Sequence, residues 1–554
     1  MMKQRKFLAI TLIIAVSFSV GFITNITDNY FEISKNLDIF GKLYREINSF
    51  YVDDTDPSRL MRTGIDAMLG SLDPYTNYIS EEDAEDFRFM STGQYGGVGA
   101  LIGKMHNQIV VVEPYEGYPA DKAGLKAGDI ILKINNEVIT GDKDVADVRN
   151  ILRGEKGTEV KLTVQKPGED QTREISLTRD RIKVDNVPYF GMITDKVGYI
   201  SLTGFTQDAG LEVQEATKAL KKDNPSLSGI ILDLRGNPGG RLDEAVNVAN
   251  VFVPENELIV ETRGRIDGSR HVHHAQRKPV DTEIPLAVIV NNRSASASEI
   301  VAGSIQDLDR GIIIGQRSFG KGLVQNIRPL SYNTQLKVTT AKYYTPSGRC
   351  IQAINYAERN EDGSVARIPD SLKNEFLTRN GRKVFDGGGI EPDVPVDVFK
   401  ANIVTNELNN QNLIFDFATY FVQKNPSIPS PRQFTITDDI YREFTEFVRG
   451  QKFDYETSAE KQMAKLIETV EKESYSEQLR STLNDMDRKL DQVKDKDLIK
   501  HKKEIALLLR QEIARRYYYK PGEIQVTFSD DPDVLAAVRT LESAQTYSQI
   551  LSKK

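Results

Sequence analysis

The spacing of apolar residues divides the chain into four textures. Over residues 29–90, Phe31, Ile33, Leu37, Phe40, Leu43, Tyr44 and Ile47 recur at roughly the helical period, and a second helical run, Leu60–Leu69, follows Asp56-Pro57. The stretch Ser71-Leu72-Asp73-Pro74-Tyr75-Thr76 reads as a turn. From Gly93 to Arg181 the period shortens to that of strands: Ile109–Val112, Asp129–Ile134, Val160–Val164 and Glu174–Leu177 are β-branched runs, interrupted by one helix, Asp144–Leu152. Residues 187–355 alternate strand and helix. Gly229–Leu234, Leu286–Asn291 and Gly311–Gly315 are strands, while Leu242–Phe252 and Glu299–Leu308 are helices. That alternation predicts an α/β layer with a largely parallel sheet. The polar stretch Asn355–Lys383 reads as a surface insertion. Beyond Lys400 the chain is helical and heavily charged, a solvated bundle rather than a coiled coil, because its heptad register breaks repeatedly. The fold class is therefore α+β multidomain: an N-terminal helical segment (26–91), a β-rich module (92–181), an α/β core (182–399) and a C-terminal helical region (400–554).

The first 25 residues stand apart. Lys3, Arg5 and Lys6 precede an apolar run from Phe7 to Thr24, long enough to span a bilayer. The basic side stays in the cytoplasm, which sends the rest of the chain to the extracytoplasmic side of the envelope, the periplasm, anchored to the inner membrane by residues 7–24. No A-x-A site follows, although Ser19 and Gly21 leave a cleaved signal as the alternative. A net charge of −8 over 554 residues gives no basic face for nucleic acid. A single cysteine, Cys350, excludes an internal disulfide framework and any multi-cysteine metal site.

Candidate chemistry gathers at the ends of the core strands. Asn291-Asn292-Arg293-Ser294-Ala295-Ser296-Ala297-Ser298-Glu299 joins a strand to a helix, so Ser296 stands where free N–H groups and the helix dipole favour developing negative charge. The same Ser296-x-x-Glu299 also fits a capping box with no chemistry at all. Asp233-Leu234-Arg235-Gly236-Asn237-Pro238-Gly239-Gly240 is a strand-to-helix turn whose glycines either offer amides to a ligand or simply pack tightly. Lys321, between Gly320 and Gly322, lies 25 residues beyond Ser296. In an enclosed site desolvation would let it act as general base to a serine. Gln325 would share its strand face and orient the amine. None of the five histidines falls in these segments. The cluster His271-x-His273-His274 lacks H-E-x-x-H spacing and reads as a surface loop.

Taken together these segments resemble the C-terminal processing peptidases, or tail-specific proteases. The resemblance runs from the helical segment before Ser71-Leu-Asp-Pro-Tyr-Thr76 through the β-rich module, Ser294-Ala-Ser-Ala-Ser-Glu299, Phe319-Gly-Lys321-Gly322 and Tyr344-Thr-Pro-Ser-Gly-Arg349 to Gly388-Gly-Ile-Glu-Pro-Asp393, about two thirds of the chain. It implies a serine endopeptidase with Ser296 as nucleophile, Lys321 as base and Gln325 positioning the lysine. The oxyanion hole would combine the N–H of Ala297 with one from Gly239 or Gly240. It also implies a PDZ domain in the β-rich module, with Gly96-Gly97-Val98-Gly99-Ala100 as its carboxylate-binding loop, gating access to the site. Ala100 stands where the family loop carries a bulkier apolar residue. No metal or organic cofactor is implied. The partners are proteins or peptides with free C-termini and, through residues 7–24, the membrane. The resemblance leaves the tail beyond residue 400 unassigned: it pairs copies, docks an adaptor or lies against the core. The competing reading is a non-catalytic PDZ scaffold or envelope interaction protein on a peptidase fold.

Overall fold

The central strands are buried on both faces. Val197–Ser201, Gly229–Asp233, Leu286–Val290 and Ile312–Gly315 expose almost nothing, as parallel strands sandwiched between helices must. In the computed structural model, which describes residues 30–266, 268–359, 364–397, 402–473, 475–494 and 496–552, they form the middle of a six-stranded sheet. Tyr189–Met192 runs antiparallel at one edge, and the short strand Val394–Pro395 lies parallel at the other. The expected leader and membrane segment, residues 1–25, lies outside the described residues, and no described helix is long and apolar enough to cross a membrane.

Alternation of side chains decides what covers each face. Ile230 and Leu232 turn with Val288 and Val290 toward the helices Ala209–Asp223, Leu242–Asn250 and Ala297–Asp307. Their neighbours Ile231, Ala287 and Ile289 face the opposite way and meet Phe528, Val534, Ala537 and Leu541. The second covering layer is thus the helix Pro532–Glu542, from the far end of the chain. Of the three roles left to the tail, the structure shows it lying against the core. The remaining tail helices build their own centre around Phe417, Phe444, Ile505, Leu509 and Ile513.

The β-rich module is a six-stranded sheet that follows the expected strands closely: Gln108–Pro114, Ile130–Ile134, Glu159–Gln165 and Thr172–Thr178. Its helix is Val145–Leu152, capped by the Asp144 carboxylate, which accepts the Ala146 N–H. Ala100–Met105 is an edge strand, beside that helix, with Thr172–Thr178 at the opposite edge. The tail reaches this module as well. His106 pairs with Asp416 at 2.7 Å, Arg515 lies 3.9 Å from Glu113, and the Tyr519 hydroxyl donates to Asp121 at 2.8 Å. Tyr519 makes that bond from a backbone conformation (φ +51°, ψ −154°) rarely held by residues with a side chain.

Two sequence expectations change. His271–His274 is an outer strand paired with Leu258–Gly264 rather than a loop. The polar stretch after Asn355 is not purely a surface feature: Arg382 is buried and bonds Asp309, Asp393 and the Gln306 carbonyl.

Residues 30–81 and 325–339 form a separate compact unit. It contains a helix over residues 30–50 and the helix Pro57–Gly70, whose first turn is capped by Asp56. Its strand Asn77–Ile79 pairs with residues 335–337.

Candidate active site

Ser296 sits between the end of strand Leu286–Val290 and the start of helix Ala297–Asp307. Its backbone is at φ +56°, ψ −111°, which a β-carbon disfavours by about 1–3 kcal/mol. Such a sharp turn lifts a serine side chain off the strand end and leaves it before the helix N-terminus. The turn is held from every side. Ser294 Oγ donates to the Leu234 carbonyl at 2.8 Å, Ser298 Oγ to the Asn237 carbonyl at 2.9 Å, and the buried Tyr343 hydroxyl to the Ser296 carbonyl at 3.2 Å.

Gly239 packs directly beneath the serine. A β-carbon there would stand 2.8 Å from Ser296 Cβ and 2.7 Å from the Ala295 carbonyl oxygen, and its φ of +99° belongs to glycine. Close packing and exposed amides are alternatives in the sequence; Gly239 packs closely. Gly239 spends its own N–H on Asn237 Oδ1 at 2.9 Å. Gly240, at φ +153°, is exposed and forms an isolated bridge with Phe205.

Glu299 does more than cap a helix. Its carboxylate is fully buried and receives four donors. Oε1 accepts the Ser318 hydroxyl at 2.5 Å and the Gly320 N–H at 2.7 Å; Oε2 accepts the N–H groups of Ser296 and Lys321, each at 2.9 Å. One oxygen therefore ties the backbone of the expected nucleophile to that of the expected base. Burial pushes this carboxyl up to about 7, against the pull of its four donors. The sequence signal was visible as Ser-x-x-Glu, but nothing in it tells a cap from a bridge to residue 321.

Lys321 follows Gly320 (φ +90°) in the loop after strand Ile312–Gly315 and is half-buried. Gln325 lies on the next strand, Leu323–Pro329, and belongs to the smaller unit. There its Nε2 donates to Thr339 Oγ1 at 3.3 Å, and Thr339 N–H donates to Thr76 Oγ1 at 3.2 Å. Asp73 in turn accepts the Tyr75 and Thr76 N–H groups. The Ser71–Thr76 turn and Gln325 thus share one hydrogen-bond chain.

In the β-rich module, Gly96 and Gly97 are not loop residues: they end the strand Gln94–Gly97, which pairs with Asp180–Lys183. Val98 is buried in the module's core, Gly99 has φ +74°, and Ala100 opens the edge strand. Among the described residues, no three His, Cys, Asp or Glu side chains cluster to hold a metal ion.

Residues 196–358 match the model of peptidase family S41, residues 110–166 that of the PDZ domain, and residues 404–541 that described as "Probable PDZ-protease, C-terminal helical domain". The carboxy-terminal-processing protease of Bartonella bacilliformis is 41% identical over 330 residues, covering 59% of this chain and 75% of that protein. This chain belongs to the S41 peptidases, as a carboxy-terminal-processing serine protease. The S41 relative CtpA of Bacillus subtilis is 31% identical over 442 residues, 79% of this chain and 90% of its own. A solved photosystem II D1 C-terminal processing protease is 28% identical, covering 65% of this chain and 92% of that one, with a TM-score of 0.35. In the S41 protease described here, the α/β core, the PDZ sheet and the C-terminal helical domain are the layers already set out above.

Proposed function

We propose that this S41 protease cleaves peptide bonds through a Ser296–Lys321 dyad, outside the cytoplasmic membrane, in proteins whose C-termini its PDZ domain captures. The observation that carries the dyad is the Glu299 carboxylate, which holds the backbones of both residues through one oxygen. Lys321, as the neutral amine, takes the Ser296 Oγ proton while Oγ attacks the scissile carbonyl carbon; the ammonium then gives that proton to the leaving amine. A water molecule, activated by the same amine, hydrolyses the acyl-enzyme. The tetrahedral oxyanion faces the N–H of Ala297, the first residue of its helix, with no acceptor in the preceding turn. Because the Gly239 N–H is already engaged, the second donor falls to Gly240. Gln325 keeps the positioning role that the family resemblance gives it.

Peptide capture rests on the edge strand Ala100–Met105 beside helix Val145–Leu152. A substrate tail adds there as a further strand, its carboxylate received where the chain passes from Gly97 through Val98 and Gly99 to Ala100. The membrane and extracytoplasmic placement rests on Lys3, Arg5, Lys6 and the apolar run Phe7–Thr24. A second copy or an adaptor would meet the tail at its hairpin of helices Ser458–Lys472 and Ser476–Lys494, where Leu466, Leu479, Met486 and Val493 are exposed.

The test is cleavage of an unfolded protein with an apolar free C-terminus by the full chain in detergent, beside its Ser296→Ala and Lys321→Ala forms. Turnover by the first and none by either variant, with unchanged melting, is the expected result. Full activity of Lys321→Ala at neutral pH would remove the dyad, and no turnover by any form would favour a binding scaffold.

A further inference from the structure

The active-site turn and the far end of the chain meet in one buried charge cluster. Arg235 lies inside the turn that ends in Gly239 and Gly240. Its Nε donates to both oxygens of Asp233 at 3.0 Å and its Nη2 to Asp233 Oδ2 at 2.6 Å. The remaining arm leaves the turn altogether: Nη1 donates to Asp531 Oδ1 and Asp533 Oδ2, each at 2.9 Å. Tyr199 closes the cluster with a hydroxyl bond to Asp233 at 2.7 Å. All four charged side chains are largely withdrawn from solvent, between 7% and 21% exposed.

Asp533 reaches a second active-site segment with its other oxygen. Oδ1 accepts Gln316 Nε2 at 3.0 Å, and Gln316 opens the loop that carries Ser318, Gly320 and Lys321. One carboxylate thus bonds both the glycine turn and the lysine loop. Both segments follow the ends of core strands, Gly229–Asp233 and Ile312–Gly315.

We propose that Asp531 and Asp533 of the C-terminal helical domain are positioning residues for catalysis, acting through Arg235 on the glycine turn and through Gln316 on the lysine loop. The inference rests on the reading that this turn supplies an oxyanion donor. The mechanical path is short. Arg235 N–H donates to Asp233, Gly236 N–H to Asn291 Oδ1, and Asn237 fixes the turn by donating from Nδ2 to the Leu202 carbonyl and accepting the Gly239 N–H. Gly239 then abuts Ser296. An arginine stays charged throughout the working pH range, so removing its partners leaves a buried cation seeking new ones. Its most accessible escape is to swing outward and drag the turn. The helix itself stays docked through Val534, Ala537 and Leu541, so losing one carboxylate does not detach the domain.

The test compares the full chain with Asp533→Ala, Asp533→Asn and Arg235→Ala, and with the double variant Asp533→Ala/Arg235→Ala. Displacing an oxyanion donor costs about 100-fold or more, so a partial displacement predicts that Asp533→Ala lowers kcat about 10- to 100-fold with KM nearly unchanged. Asp533→Asn, which keeps an oxygen for Gln316, recovers part of the loss, and the double variant loses less than the product of the two single losses, because only the Gln316 arm is left to lose once Arg235 is gone. A peptide boronic acid, whose Ser296 adduct places an oxygen in the oxyanion site, should bind Asp533→Ala more weakly, while a C-terminal peptide binds its PDZ domain as before. Wild-type kcat in Asp533→Ala would overturn the clamp, as would losses that multiply in the double variant or fall wholly on KM. Cleavage that survives Ser296→Ala would instead remove the reading on which the clamp rests. Melting curves of every variant, taken first, fix an assay temperature at which all are folded.

Discussion

Glu299 shows how one side chain can serve two segments. Four donors converge on its two oxygens, and a glutamine cannot match that set, because its amino group would meet N–H donors. Glu299→Gln is therefore expected to lower kcat by about 10-fold or more, from donors left unpaired beside Ser296 and Lys321. Its pH signature is separable. The folded carboxyl holds its proton up to about pH 7, whereas the ordinary value is 4.5. The stabilisation from that retained proton is complete below about 4.5 and is lost as pH rises through about 7. Between pH 5 and 7.5 the melting temperature of wild type should accordingly fall relative to that of Glu299→Gln; parallel curves would contradict the shift. At this scale the sequence was informative about residue types and silent about conformation. Ser296, Lys321, Gly239 and Gly240 could be singled out from their neighbours. The φ of +56° at Ser296 and the second role of Glu299 depend on contacts made across 19 or more residues of chain.

Elements at the core were legible because their burial is two-sided. A parallel strand covered on both faces reads as an unbroken apolar run, so Leu286–Val290 and Ile312–Gly315 could be placed within a residue or two. The edge strand His271–His274 could not, since an exposed strand of four polar or half-exposed residues carries no period to detect. The glycine turn gives the element-scale prediction. Gly239→Ala puts a methyl 2.8 Å from the nucleophile's β-carbon and should move the serine turn. Since a misplacement of about 1 Å costs about 100-fold, turnover should fall by that order. Gly236 supplies the comparison within the same turn, with φ +70° and open space around a would-be β-carbon. Gly236→Ala should cost about 1 kcal/mol of stability through strain and leave most of the activity, as kcat and urea titrations of the two variants would show. Equal activity in both would mean that the contact with Ser296 does not matter.

Across the whole molecule, the layer that sequence reading could not place is the one contributed by the tail. Charged helices far along a chain carry a pattern but no address. Only the folded sheet reveals that Ile231, Ala287 and Ile289 need the apolar side of Pro532–Glu542. Val534 and Leu541 are buried there, each worth about 1.5–3 kcal/mol on full burial. A chain stopped before Asp531 should therefore expose one face of the core sheet, bind a hydrophobic dye and lose solubility, whereas loss of the exposed hairpin Ser458–Lys494 alone should not. The same tail also touches the PDZ domain at His106, Glu113 and Asp121, so one C-terminal domain contacts both working parts of the enzyme.

The position of that clamp in the chain has a consequence for timing. Synthesis runs from residue 1 onward, and Ser296, Lys321 and every strand of the core sheet are made well before Asp531 and Asp533. Through most of its synthesis the nascent protease carries its nucleophile without the carboxylates that brace the glycine turn. On this clamp, full competence waits for Asp531 and Asp533, and a copy terminated before them carries a glycine turn that lacks its carboxylate brace.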